Sequence, residues 1–210
     1  MPSANEILAR FIQPGRLRRL NAVLRARTAD VVLVLENVHD PHNIGAVLRS
    51  CDAFGVQRVF LVGKSCHSNP ARKVAQGADR WLTVERIASA SLAMAALHEE
   101  KFAVAVAVKR RRSIQLGDLV ARKRFALWFG NEHDGASDTA INAADLHFWI
   151  PLVGMVQSLN ISVAAAVSLY SVTRRRGRAL PRATSSDLRA QWIHRDVRGA
   201  DAILRRFNVK

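Results

Sequence analysis

Val31–Leu35 is an unbroken run of five apolar residues, Val-Val-Leu-Val-Leu. A strand with one wet face alternates polar and apolar residues, so a run without alternation belongs to a strand covered on both sides. Val59–Val62, Phe102–Val108, Phe125–Phe129 and Phe148–Ile150 are runs of the same kind. The stretches between them change period. Ile44–Phe54 carries Val47, Leu48, Cys51 and Phe54 on one side of a helix that Gly55 closes, and Leu92–Leu97 lies in an Ala-rich helical stretch. A third helix of small apolar residues follows Asn160. Strands separated by helices predict an α/β fold, a mostly parallel sheet with helices on both faces.

The ends differ from this body. Ile7, Leu8, Phe11 and Ile12, then Leu17, Leu20, Val23 and Leu24, predict two short amphipathic helices broken at Pro14 and Gly15. The tail beyond Arg174 is mixed, with one helix expected over Ala200–Phe207. The organisation expected is a basic N-terminal extension, residues 1–28, a body, 29–172, and a basic C-terminal extension, 173–210.

Charge follows the same division. Of the net +15, residues 1–28 hold +5, residues 171–210 hold +8, and the body between them only +2. Nearly all the excess at the ends is arginine, whose planar fork matches phosphate oxygens in pairs. Basic ends on a near-neutral body fit a polyanion, and nucleic acid is the partner expected. An anionic membrane fits less well, because the basic segments lack an aromatic-rich apolar face. No apolar run reaches the roughly 18–20 residues of a membrane span, and the first residues lack the charged-then-apolar pattern of a secretory signal. Cys51 and Cys66 have no CxxC spacing and make no disulfide framework, which fits a reducing cytoplasm.

Open parallel sheets bind ligands beyond the carboxyl ends of their strands, and three polar turns fall there: Glu36–Asn43, Gly130–Ser137 and Val153–Asn160. The first holds Asn37, His39, Asp40, His42 and Asn43, with Arg49 about a turn and a half into the next helix. In the second, Glu132 lies between glycines that let backbone approach a ligand. Ser158 and Asn160 stand where an N-cap belongs in the third, a pattern that a plain capped connection would also show. Neither a G-x-G-x-x-G loop nor a Walker loop is present. His39 and His42 lack a third ligand at metal spacing, so no metal centre is expected, and Cys51 on an apolar helix face reads as core.

Taken together, Glu-Asn-Val-His-Asp-Pro-His-Asn-Ile-Gly-Ala-Val-Leu-Arg-Ser-Cys-Asp-Ala-Phe-Gly-Val (36–56), Phe-Gly-Asn-Glu-His-Asp-Gly (129–135) and Ile150–Ala164 resemble the three motifs of the SpoU/TrmH group of SPOUT RNA 2′-O-methyltransferases. Order and spacing agree across roughly residues 30–172. Within the group, Gly-Met-Val-Gln-Ser-Leu-Asn-Ile-Ser-Val-Ala is most similar to the tRNA D-loop guanosine enzymes. Large-subunit rRNA relatives usually carry an extra N-terminal domain, for which this chain has no room.

The resemblance implies an α/β domain whose C-terminal part forms a deep trefoil knot, a topology that general chain rules would reject. It implies an S-adenosylmethionine pocket that uses Ala107, Gly130, Ile150 and Leu159, mostly through backbone groups. The loop after Ala107 departs from the family pattern, since Lys109–Arg112 is unusually basic. A homodimer is also implied, with the first and third motif helices near its interface and the nucleoside bound between subunits. The small-residue helix around Val163–Val167 suits close packing of that kind.

The implied reaction is attack by a ribose 2′-oxygen on a sulfonium methyl, which demands positioning and proton removal. The resemblance gives Arg49 the central role. Either it takes the hydroxyl proton, or it clamps a phosphate while phosphate or water takes the proton; a guanidinium that stays protonated favours the clamp at least equally. Asn43 would orient Arg49 or the ribose, Glu132 would orient basic groups or loop backbone, and Ser158 with Asn160 would fix the cofactor loop. Other targets for the same chemistry are another tRNA nucleotide or one in large-subunit rRNA. A different class is an RNA-binding assembly factor of SPOUT fold without catalysis.

Overall fold

The computed structural model describes residues 2–67, 69–119, 124–174 and 179–207. The Cys66 side chain and the basic residues Arg175, Arg176, Arg178 and Lys210 lie outside the described residues. Two compact units emerge, Thr28–Arg178 and a second built from both ends, Met1–Arg27 with Ala179–Lys210.

The larger unit is a seven-stranded parallel sheet, in order β3-β2-β1-β6-β4-β7-β5. Its strands are β1 (Thr28–Glu36), β2 (Val56–Val62), β3 (Thr83–Ile87), β4 (Ala103–Ala107), β5 (Ile114–Gln115), β6 (Phe125–Phe129) and β7 (Leu146–Trp149). Among the described residues of both units the α-helices are α1 (Ala4–Ala9), α2 (Pro14–Ala26), α3 (Pro41–Ala53), α4 (Arg72–Ala75), α5 (Ala90–Glu99), α6 (Asp138–Ala143), α7 (Ile161–Thr173), α8 (Arg182–Asp196) and α9 (Ala200–Arg206). Successive side chains of each central strand feed opposite faces. Leu33, Leu35, Leu61, Leu127 and Phe148 pack with Val47 and Leu48 of α3 and Ala165 and Leu169 of α7. Val32, Val34, Phe60, Val104 and Trp128 pack with Ala93 and Leu97 of α5 and Ile141 of α6. Both faces are therefore dry, as the unbroken apolar runs require.

The strand order has one unusual placement. Last in the chain, β7 is hydrogen-bonded to β4 on one side and β5 on the other. Only residues 108–113 join β4 to β5, so this segment straps across the end of β7.

In the terminal unit α8 packs on both α1 and α2, and α9 on α1. Ile7, Leu8, Leu20 and Leu24 are buried, as are Leu188, Trp192 and Ile193 of α8. The Arg27 guanidinium lies 5.4 Å from the Trp192 ring centroid, and Arg16 forks onto Asp196 at 2.8 and 3.0 Å. One shared apolar centre thus serves both ends of the chain.

Candidate functional site

Strand register places the carboxyl ends. Val106 pairs with Trp128, and Ala107, the last residue of β4, pairs with Phe148. Gly130 follows β6 directly and Ile150 follows β7. Ala107, Gly130 and Ile150 thus end three adjacent strands at nearly one level, and each is half-buried.

The loop after β6 is closed on itself. Asn131 and Gly135 exchange two backbone hydrogen bonds of 3.1 Å, and Asn131 Oδ1 accepts from His133 N at 2.8 Å and Asp134 N at 2.7 Å. Gly135 takes φ +70°, and a Cβ on Gly130 would stand 2.0 Å from Ala136 N and Gly135 C. The chain crosses itself too closely there for any side chain, and Glu132 is left exposed on the loop.

The loop after β1 is equally constrained. Asn37 holds a positive φ of 55°, its Oδ1 accepts from Lys64 N at 2.9 Å, and Val38 N donates to Ser65 Oγ. Asp40 caps α3 by accepting from His42 N at 2.8 Å, with Pro41 next to it in the first helical turn. Asn43 is therefore not a cap and its amide is free for other work. In the third turn Asn160 is the N-cap of α7, accepting from Ser162 N at 2.8 Å and Ser162 Oγ at 2.6 Å.

These three turns meet. Asn160 Nδ2 donates to Asn43 Oδ1 at 3.1 Å, and Asn43 Nδ2 donates to Glu132 Oε1. The bonds run in one direction, from Ser162 through Asn160 and Asn43 to the Glu132 carboxylate, so each donor polarises the next. Among the described residues Glu132 Oε2 makes no protein hydrogen bond and stays available.

Besides the strand-end residues Ala107, Gly130 and Ile150, Arg49, Ser158 and Leu159 stand outside this chain of bonds. Arg49 is six residues beyond Asn43 on α3, exposed, and among the described residues it makes no ion pair or hydrogen bond. Ser158 is exposed and plays no capping role. Leu159 is half-buried within a stretch, 152–159, that makes no backbone hydrogen bonds among the described residues.

Glu36 is a partner the motifs did not single out. Almost fully buried, its Oε2 accepts from Trp128 Nε1 at 2.9 Å and from Ser137 N at 3.1 Å. It fixes the end of β1 to the loop that carries Glu132. The available signal was a carboxylate directly after the apolar run Val31–Leu35.

Known proteins resemble this chain in sequence and fold. Residues 30–170 match the SpoU rRNA Methylase family. A tRNA (guanosine(18)-2′-O)-methyltransferase of Thermus thermophilus is 38% identical over 165 residues, spanning 79% of this chain and 85% of its own. One of the same description from Borreliella burgdorferi is 29% identical over 197 residues, spanning 91% and 90%. The crystal structure of the A. aeolicus TrmH/SpoU tRNA modifying enzyme superposes with a TM-score of 0.79 at 28% identity, covering 88% of this chain and 98% of the other. With its three motif turns joined by hydrogen bonds and the family match spanning most of its length, the chain belongs to the SpoU rRNA Methylase family.

Proposed function

We propose that the chain methylates a ribose 2′-oxygen in tRNA, at the guanosine-18 position named for its relatives, with S-adenosylmethionine as donor. The observation that carries this reading is the bond chain Asn160–Asn43–Glu132, which unites all three motif turns at one edge of a family-member sheet. Tritium transfer from labelled S-adenosylmethionine into bulk tRNA, followed by mapping of ribose methylation, tests it. RNA binding without transfer would point instead to a non-catalytic assembly factor, and transfer at another nucleotide would move the target.

The residues present fit the cofactor. Gly130 lets the loop after β6 fold back on its own backbone at the strand ends, and the backbone of 152–159, without hydrogen bonds among the described residues, offers donors and acceptors to an adenosine. Ala107, Gly130, Ile150 and Leu159 would hold it. When bound it supplies an electrophilic sulfonium methyl. The chain's own task is to place the hydroxyl and move its proton. Arg49, an exposed guanidinium without an ion pair among the described residues, is suited to the RNA phosphate beside the ribose. Asn43 and Asn160 hold Glu132 in one orientation, and its free Oε2 faces the remaining polar work. Ser158, unbonded in the same turn, is available to the cofactor or ribose.

A homodimer is supported by α7, which carries no charged residue and is apolar on both sides. Ile161, Ala165 and Leu169 pack inward, yet Val163, Val167 and Tyr170 on the other side are 46, 40 and 55% exposed. A helix with apolar residues on both sides is normally buried on both, and the nearby Val153 and Met155 are fully exposed as well. Val163→Glu with Val167→Glu is expected to shift sedimentation from a dimer to the 23.2 kDa monomer; a wild type that sediments as a monomer at micromolar concentration would exclude this interface.

A C-terminal trefoil knot is supported by the strap, since β7 leaves the sheet between two strands that residues 108–113 join above it. The terminal unit is assigned to the RNA backbone. Removing 1–28 would strip the apolar sides of α8, so substitution is the cleaner test. Arg18, Arg19 and Arg25 are exposed; replacing all three with alanine is expected to lower the log–log salt slope of tRNA binding by roughly 2–3, close to one per phosphate contact. Affinity for S-adenosylmethionine should hold. An unchanged slope would make these arginines mere surface charge. No helix among the described residues is long and apolar enough to cross a membrane. The proposed tRNA substrate supports a cytoplasmic role.

A further inference from the structure

Four consecutive cations, Lys109–Arg112, sit on the strap over β7, outside all three motif turns. Without them the body would be net acidic, with eleven Lys and Arg against thirteen Asp and Glu between residues 29 and 170. All four are exposed. Their local partners are few. Arg110 reaches Asp138 only at 3.8 Å, with both side chains largely in solvent, and Lys109 lies 4.6 Å from the centroid of the Trp149 ring. Among the described residues Arg111 and Arg112 have no ion pair or hydrogen bond. Crowding four like charges around one distant acid is unfavourable in the free protein, and the balance reverses when a polyanion arrives.

The strap is also held by its own hydrogen bonds. Ser113 Oγ donates to Val108 O and accepts from Arg110 N, both at 2.8 Å, and Ser113 N returns to Arg110 O at 3.0 Å. Val108 N is in turn fixed to Phe148 O at 2.8 Å. The arginines border an open depression of about 750 Å³ together with His147, whose Nε2 donates to Ile141 O at 2.8 Å. An open, shallow, strongly cationic surface suits a chain lying across it, whereas one small carboxylate would leave most of the charge unmatched.

We infer that Lys109–Arg112 is a phosphodiester-binding clamp of the catalytic unit, gripping the RNA backbone beside the strand ends that carry Ala107 and Ile150. This rests on the reading of the chain as an RNA methyltransferase. The clamp is separate from the terminal unit and from Arg49, and it adds a second, preorganised contact to the same substrate.

The test compares full-length wild type with Arg111→Ala/Arg112→Ala and Arg111→Lys/Arg112→Lys. Three quantities are read: the salt slope of tRNA binding, the KM for tRNA in methyl transfer, and S-adenosylmethionine affinity by calorimetry. In the double alanine variant the slope should fall by roughly 1.4–1.8, two contacts at ~0.7–0.9 each. KM should rise roughly tenfold while cofactor affinity is unchanged, and the lysine pair should keep the slope. An unchanged slope and KM, with wild type active on tRNA, would overturn the clamp and leave the methyltransferase reading standing. Loss of cofactor affinity with an unchanged slope would overturn it too, giving the arginines to the cofactor's carboxylate. A wild type without transfer activity whose slope still falls in the alanine variant would refute the enzymatic reading and keep the clamp.

Discussion

Replacing Arg49 with alanine is expected to lower methyl transfer by at least roughly a hundredfold, the scale seen when one group that stabilises a transition state is removed. Fold and S-adenosylmethionine binding should be retained, because the side chain is exposed and makes no ion pair or hydrogen bond among the described residues. Arg49→Lys separates the two roles open to this residue. Lysine keeps one charge and loses the fork, and its ordinary pKa of ~10.4 makes it the more readily deprotonated group. If the guanidinium is a base, the lysine variant should regain activity as pH rises toward about 10. If it clamps a phosphate bidentately, activity should stay low throughout. Wild-type rates in Arg49→Ala would place the chemistry elsewhere.

Gly130→Ala is expected to be as damaging by another route. The added methyl would stand 2.0 Å from the backbone of Gly135 and Ala136, against ~3.5–4.0 Å for an unstrained contact. Those neighbours are main chain and cannot rotate away. Overpacking of this kind costs ~1–3 kcal/mol or more, and here the cost falls on the loop that carries Glu132 and borders the proposed cofactor pocket. Calorimetry should find S-adenosylmethionine binding lost or weakened at least tenfold, with a lower Tm. Gly117→Ala is the control, because a Cβ there has no neighbour within 4 Å. Equal behaviour of the two variants would show that the crossing at Gly130 is not a constraint on binding.

The sequence shows its strongest strands and hides its edges. β1, β2, β4, β6 and β7 are legible as apolar runs because both faces of the sheet are covered at their positions. β3, Thr-Val-Glu-Arg-Ile, is not: it is an edge strand, and Glu85 is drawn there by Arg58 of β2 at 2.9 Å, a contact no local pattern reports. β5 has two residues and exists only because β7 lies beside it. α8 escapes notice because its sequence is largely polar and its apolar side is just Leu188, Trp192 and Ile193. The shared centre of the two ends is a tertiary fact of the same kind. At the site, Asn43, Glu132 and Asn160 stand out as polar residues in turns at strand ends. That they bond to one another depends on strand order, and Glu36's partners lie about a hundred residues away.

The position of β7 has a consequence for how the protein is made. Translation delivers β4 and β5 first, joined by their short strap, and the gap between them cannot be filled until Trp149 has left the ribosome. Through that interval β4 presents an unpaired Ala-Val-Ala-Val-Ala edge, open to pairing with a neighbouring chain. Closure of the sheet is therefore a late step that depends on distant residues, a slow class of folding event. A nascent chain stalled anywhere before Leu146 carries that edge for as long as the stall lasts.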